Sequence, residues 1–193
     1  MEAIQVSNGK TVIFIDGQSL FITAKTLGFS IDFKRLLDEL KTHGDVIRIK
    51  YYTLVDDEDE NTPLIPLTDW LSYNGYSVVI KYVRSYVDPD GRKKMKGNIN
   101  IEIAVDMMEI APHVDHVVLI SGDGDFSCLL AAVQRQGKKC TVISSVQSSQ
   151  QTCSASLRKA ADQFIELAQL KSKIERENNN SMDSTASIVR LPR

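Results

Sequence analysis

The chain has 193 residues, 42% hydrophobic and 25% charged, with a formal net charge of −2, which suits one cored globular domain and gives no overall attraction to a polyanion or an anionic surface. Any nucleic-acid contact must therefore come from local basic patches. No apolar run approaches the ~20 residues a bilayer span requires, and Met1–Asn8 lacks a basic-then-apolar leader pattern, so the expectation is a cytoplasmic protein with no membrane partner.

From residue 11 to about 168, short apolar runs alternate with helical periodicity, which predicts an α/β domain around a mostly parallel sheet. The first strand, Thr11–Ile15, ends at Asp16-Gly17-Gln18-Ser19, and a helix from Ser19 to Leu27 stops at Gly28. Asp32 caps a second helix whose Phe33, Leu36, Leu37 and Leu40 form one stripe before Gly44. A strand from Val46 to Leu54 runs into Asp56–Glu60, a solvated acidic loop. A helix over Pro66–Tyr73 and a long strand over Ser77–Val87 lead to the turn Asp88-Pro89-Asp90-Gly91. Beyond the basic run Arg92–Lys96 come a helix over Asn98–Ala111, a strand over His116–Ile120 and a helix over Phe126–Gln136 closed by Gly137. A strand over Cys140–Ser144 and a last core helix over Ser154–Phe164 follow. Beyond Leu170 the composition turns charged and polar, predicting a frayed helix and then a disordered tail. The division is thus an extension over 1–10, a domain over 11–168 and a tail over 169–193.

The chemistry concentrates where strands stop. Ser121-Gly122-Asp123-Gly124-Asp125-Phe126 places two carboxylates in a glycine loop directly after an apolar strand, and Asp16 closes the first strand in the same way. Like charges gathered at a sheet edge raise one another's pKa, and a divalent cation relieves the conflict. At 100° per residue, Asn98, Glu102, Asp106 and Glu109 share a polar stripe while Asn100 falls on the apolar side of that helix, which faces the sheet. Asn100 is then either a fourth member of the acidic cluster or an amide satisfying buried backbone groups. Cys128, Cys140 and Cys153 are odd in number and lack metal-ligand spacing, so they read as reduced thiols, with Cys128 in the core. His113 and His116 are spaced like ligands, yet Pro112 separates them from the helix and a structural role is favoured. The Asp123 run lacks the glycine and glutamate of an EF-hand loop.

Val12-Ile13-Phe14-Ile15-Asp16-Gly17, Lys96–Asp106 and Ser121–Phe126 resemble the three signature blocks of NYN domains, with the nearest likeness to the bacterial LabA-like branch of the PIN-like nuclease superfamily. The resemblance implies a Rossmann-like three-layer α/β/α fold and a pocket in which Asp16, Asp123, Asp125 and the residue at position 100 hold Mg2+ or Mn2+ for hydrolysis of RNA phosphodiesters by metal-activated water. Ser19, Ser121 and Glu102 would support those ligands. The more serious of two departures is Asn100, which stands where the family has aspartate; this removes a metal-site charge and implies weaker metal binding or lost turnover. Ser19 stands where the family commonly has asparagine. Arg92, Lys93, Lys94 and Lys96, beside the acidic edge, suit a phosphate backbone, with Lys81, Arg84, Tyr82 and Tyr86 as further contacts to single-stranded RNA, the alternative being a solvated turn with the tyrosines as cross-strand aromatics in the core. The family permits homodimers. The expectation is a metal-dependent ribonuclease weakened by Asn100, with a catalytically inactive RNA-binding or regulatory module as the alternative and a phosphoacceptor built on Asp16 as a weaker third.

Overall fold

The computed structural model describes residues 7–57, 62–91, 93–95, 97–147 and 152–177. In chain order the elements are β1 (Ser7–Asp16), α1 (Gly17–Thr26), α2 (Phe33–Leu40), β2 (Gly44–Asp56), α3 (Leu64–Tyr73), β3 (Ser77–Val83), β4 (Ser85–Val87), β5 (Lys93–Met95) and α4 (Asn100–Ile110). After a 3-10 turn at Ala111–His113 come β6 (His116–Ile120), α5 (Phe126–Gln134), β7 (Lys139–Ser144), α6 (Ala155–Ala160), β8 (Gln163–Glu166) and α7 (Leu167–Ile174).

Six strands form one parallel sheet in the order β3-β2-β1-β6-β7-β8, and β4 and β5 make a separate antiparallel pair. Strand β1 is apolar on both sides because both of its faces are covered, as a central parallel strand requires. Val12 and Phe14 join a core with Ile103 and Met107 of α4, Leu130 of α5 and Leu157 of α6. Ile13 and Ile15 join another with Leu20 of α1, Leu36 and Leu40 of α2, Leu71 of α3 and Leu170 of α7. The result is a three-layer α/β/α domain. Each fully buried Leu, Ile or Phe contributes roughly 1.5–3 kcal/mol, so the two cores hold the sheet from both sides.

The chain winds from β1 to β2 to β3 in one direction, then crosses to β6 on the other side of β1 and continues outward to β8. This reversal between β1 and β6 is where open α/β sheets leave a crevice at the carboxyl ends of their strands. Ile15 pairs with Ile120 across it, so Asp16 and Ser121 emerge side by side.

Four expectations are corrected. The strand over Ser77–Val87 breaks after Val83, and β4 turns back on β5 through Asp88–Gly91, where the Gly91 N–H bonds the Asp88 carbonyl and Gly91 takes φ 76°. The helix over Ser154–Phe164 is only α6, because Gln163–Glu166 pairs with β7 as an edge strand. The helix beyond Leu170 is packed rather than frayed: Leu170 and Ile174 are buried, and Glu39 of α2 accepts from Lys173 at 2.8 Å. Asp56 is the buried last residue of β2, not part of a solvated loop. Residues 58–61, Arg92, Lys96, the 1–6 part of the extension and the 178–193 part of the tail lie outside the described residues.

Candidate active site

Asp16 ends β1 and caps α1: at φ −73° and ψ 100° it leaves the strand, and its Oδ1 accepts the Ser19 N–H at 3.1 Å. Gly17 follows because α1 begins hard against β2. A Cβ there would lie 2.5 Å from the Tyr51 hydroxyl and 2.8 Å from the Tyr52 carbonyl. Asp16 Oδ2 accepts from the Ser121 hydroxyl at 2.9 Å, and the Ser19 hydroxyl accepts the Gly122 N–H at 2.8 Å. Two serines thus bind the adjacent strand ends together.

The loop after β6 carries the network onward. Ser121 Oγ accepts the Asp123 N–H at 3.2 Å, Asp123 Oδ1 accepts the Asp125 N–H at 2.9 Å, and Asp123 Oδ2 accepts from Asn100 Nδ2 at 2.7 Å. Asn100 reaches it from the first turn of α4, on the same side of that helix as the buried Ile103 and Met107. Gly122 is required by packing, since a Cβ would stand 1.7 Å from the Thr152 carbonyl oxygen. Its own carbonyl accepts the Ser154 N–H at 2.9 Å.

Asp16 is 7% exposed. Burial raises its pKa, the Ser19 and Ser121 hydrogen bonds work against that rise, and the Asp123 charge adds to it. A buried carboxylate with a like charge nearby is relieved by a proton or a cation. Asp125, by contrast, is exposed at the start of α5, and its side chain makes no cap bond. The structure therefore joins Asp16, Ser19, Ser121, Asp123 and Asn100 into one network and leaves the Asp125 carboxylate outside it. Among the described residues, no three His, Cys, Asp or Glu side chains are grouped so as to hold a metal ion.

Two acids of α4, Glu102 and Asp106, are engaged by lysines. Glu102 Oε1 pairs with Lys81 at 2.7 Å, and Lys81 also donates to the Asn98 carbonyl at 2.8 Å, so the ammonium ties β3 to the start of α4 instead of standing free for substrate. Burial works to raise the Glu102 pKa, but the Lys81 hydrogen bond, a backbone hydrogen bond and the Lys81 charge together outweigh it and the pKa is lowered. Asp106 pairs with Lys50 and accepts from the Tyr52 hydroxyl at 2.6 Å. Here too burial opposes the partners, and the partners win. Sequence reasoning missed Lys50 and Tyr52. The available signal was their i, i+2 spacing on β2, which sets both on the face that α4 covers.

His116 is buried between Thr11 and Thr141, 2.8 Å from the Thr141 hydroxyl, and burial pushes its pKa down to about 4. His113 is exposed, so the two do not converge. Cys128 corrects an expectation: it is exposed, because Phe126, Leu129, Leu130 and Val133 take the inward face of α5, whereas Cys140 and Cys153 are buried. Lys93 and Lys94 lie on β5, with Lys94 opposite Tyr86 in the antiparallel pair. Tyr82 and Tyr86 are exposed.

Topology and the paired strand-end acids define a PIN-like α/β domain. The NYN domain family model matches residues 10–170, and the chain belongs to that family, a PIN-like nuclease family. It is LabA-like: it is 28% identical over 185 residues to the low amplitude and bright protein LabA of Synechococcus elongatus, covering 93% of this chain and 95% of that protein. A crystal structure of a protein of unknown function from Vibrio parahaemolyticus aligns with a TM-score of 0.65 at 28% identity, covering 86% of this chain and 96% of that one. Among the described residues, no helix is long and apolar enough to cross a membrane.

Proposed function

We propose that the chain is a divalent-metal-dependent ribonuclease whose turnover is restrained by Asn100. The observation that carries this reading is the convergence of Asp16 and Asp123 at the sheet reversal, with the Asp16 pKa raised first by burial and further by the Asp123 charge. The donor set fits magnesium or manganese, since it consists of carboxylate and amide oxygens. Asp16 and Asp123 would hold the ion, with Asp125 or the Asn100 amide oxygen completing the set. The ion supplies positive charge that offsets the two carboxylates, makes water more acidic and screens the phosphate.

The chain's own groups do the positioning. Ser19 and Ser121 hold Asp16 by both oxygens, and Ser121 also holds the backbone of Asp123. Lys50 and Lys81 fix α4, and with it Asn100, against β2 and β3. Single-stranded RNA would lie along the basic run Arg92–Lys96, with Tyr82 and Tyr86 offering stacking surfaces. One observation favours a second reading, a non-catalytic RNA-binding module: the Asn100 amide already satisfies an Asp123 oxygen that a metal would otherwise take.

Labelled single-stranded RNA incubated with magnesium or manganese, and separately with chelator, separates the two. Cleavage that disappears with chelator and in Asp123→Ala supports the nuclease. Binding without cleavage, even at high manganese, supports the second reading.

A further inference from the structure

Ile101, Val105 and Met108 follow one another along α4 at helical spacing and are 69%, 50% and 39% exposed, so this helix carries an apolar stripe on its outer side. Contiguous apolar surface of this kind marks an interface. The stripe borders α5, which runs beside α4. Asn100, at the start of α4, meets Asp123 just ahead of α5, and Gln136, just beyond α5, donates to Met108 Sδ at 3.9 Å near the end of α4.

Helix α5 turns Phe126, Leu129, Leu130 and Val133 inward. The residues flanking it keep helical backbone angles, φ −62° and ψ −26° at Asp125 and φ −62° and ψ −19° at Arg135. At 100° per residue, Asp125, Cys128, Ala132 and Arg135 therefore share one stripe on the outer side. Asp125, Cys128 and Arg135 are exposed and Ala132 is half-buried. Among the described residues, neither Asp125 nor Arg135 has an ion partner.

This stripe is complementary to itself. Its spacing of three, four and three residues reads the same in both directions, while its two ends carry opposite charges. Against an antiparallel second copy of α5, Asp125 of each chain faces Arg135 of the other, and Cys128 faces Ala132. A parallel copy would set like charges together. Both middle residues are small, so the two helix axes can approach to about 8 Å, the close end of helix packing. Matching of a surface to its own reverse is what an isologous two-fold interface requires.

We propose that the chain forms a two-fold homodimer through antiparallel α5 helices, with Asp125–Arg135 ion pairs at both ends and Ile101, Val105 and Met108 of α4 buried along the flanks. The charges set direction and register, and the apolar stripe supplies the burial. Neither metal nor RNA enters this association, so it stands apart from the nuclease reading.

Sedimentation equilibrium of the full chain in chelator, across the micromolar range, tests this with Arg135→Asp, the double swap Asp125→Arg with Arg135→Asp, and Val105→Asp. The full chain is expected to populate a dimer. Arg135→Asp replaces both ion pairs by like-charge contacts and should weaken association at least about tenfold. The double swap should restore it, whereas Val105→Asp should weaken it because a charge is then taken into the apolar flank. Circular dichroism checks that each variant keeps its helices. A chain that stays monomeric overturns the dimer and leaves the face to a partner of another composition. A dimer that neither Arg135→Asp nor Val105→Asp weakens, or that a folded double swap fails to restore, overturns this interface.

Discussion

At the scale of single residues, Asn100 is the neutral member of the network around the acidic pair. Its amide donates to Asp123 where an acid would add a charge. Asn100→Asp should therefore raise metal affinity and RNA cleavage by at least about tenfold, the worth of one charged ligand at ~1.4 kcal/mol or more. It should also lower the melting temperature in chelator, because a third carboxylate then faces the other two unrelieved. Cleavage assays and melts with and without magnesium check both parts, and equal metal response in the two proteins would remove Asn100 as the restraint. Asp16 argues the complementary case. Because burial raises its pKa, ionised Asp16 subtracts stability as pH rises above the ordinary value of 3.8. Asp16→Asn should raise the melting temperature near pH 7 while abolishing cleavage, and a melt beside an activity assay would show whether function and stability separate here.

At the scale of elements, α7 shows how much a short helix gains from its docking. Eight residues make a marginal helix alone. Here Leu167, Leu170 and Ile174 are buried, the Asp32 N–H bonds the Ile174 carbonyl, and Ile31 bridges Glu175. Leu170→Ala should cost roughly 2–5 kcal/mol in urea denaturation. The same reasoning at the loop after β6 makes Gly122→Ala severe, since the Thr152 backbone cannot move aside without disturbing the Asp123 turn. A Gly122→Ala protein that melts like the parent would show that this contact yields easily.

At the scale of the whole molecule, two buried histidines make stability depend on pH below neutrality. The His116 pKa is held at about 4, well below its ordinary 6.5, and burial lowers that of His43 as well. The unfolded chain therefore binds more protons than the folded one between those values. The stability these neutral rings provide is complete above pH 6.5 and is lost as pH falls from 6.5 towards 4. Asp16 acts in the opposite sense, gaining its proton more readily in the folded state. Melting temperatures measured from pH 7.5 to 4.5 should fall through the histidine window in the parent and fall less in His116→Gln. Equal slopes would place the acid sensitivity elsewhere.

Short-range physics determined much of this protein in the sequence itself. Strand-end acids followed by glycine, the Asp32 cap and the apolar stripe of α2 depend on residues a few positions apart, so Asp16, Asp123 and most helices were legible there. The inward turn of Asn100 was legible too, because a helix repeats every 3.6 residues. Tertiary structure decided the rest. Gln163–Glu166 is a strand only because β7 offers an open edge, and α7 is a helix only because α2 receives its apolar side. Whether Lys81 is free or tied, and whether Asp125 joins Asp123 or faces solvent, depends on the start of α4, well along the chain, for the first and on one turn's hydrogen bond for the second. Periodicity records which face of an element is apolar, whereas the identity of its partner is fixed only when the sheet order brings distant segments together.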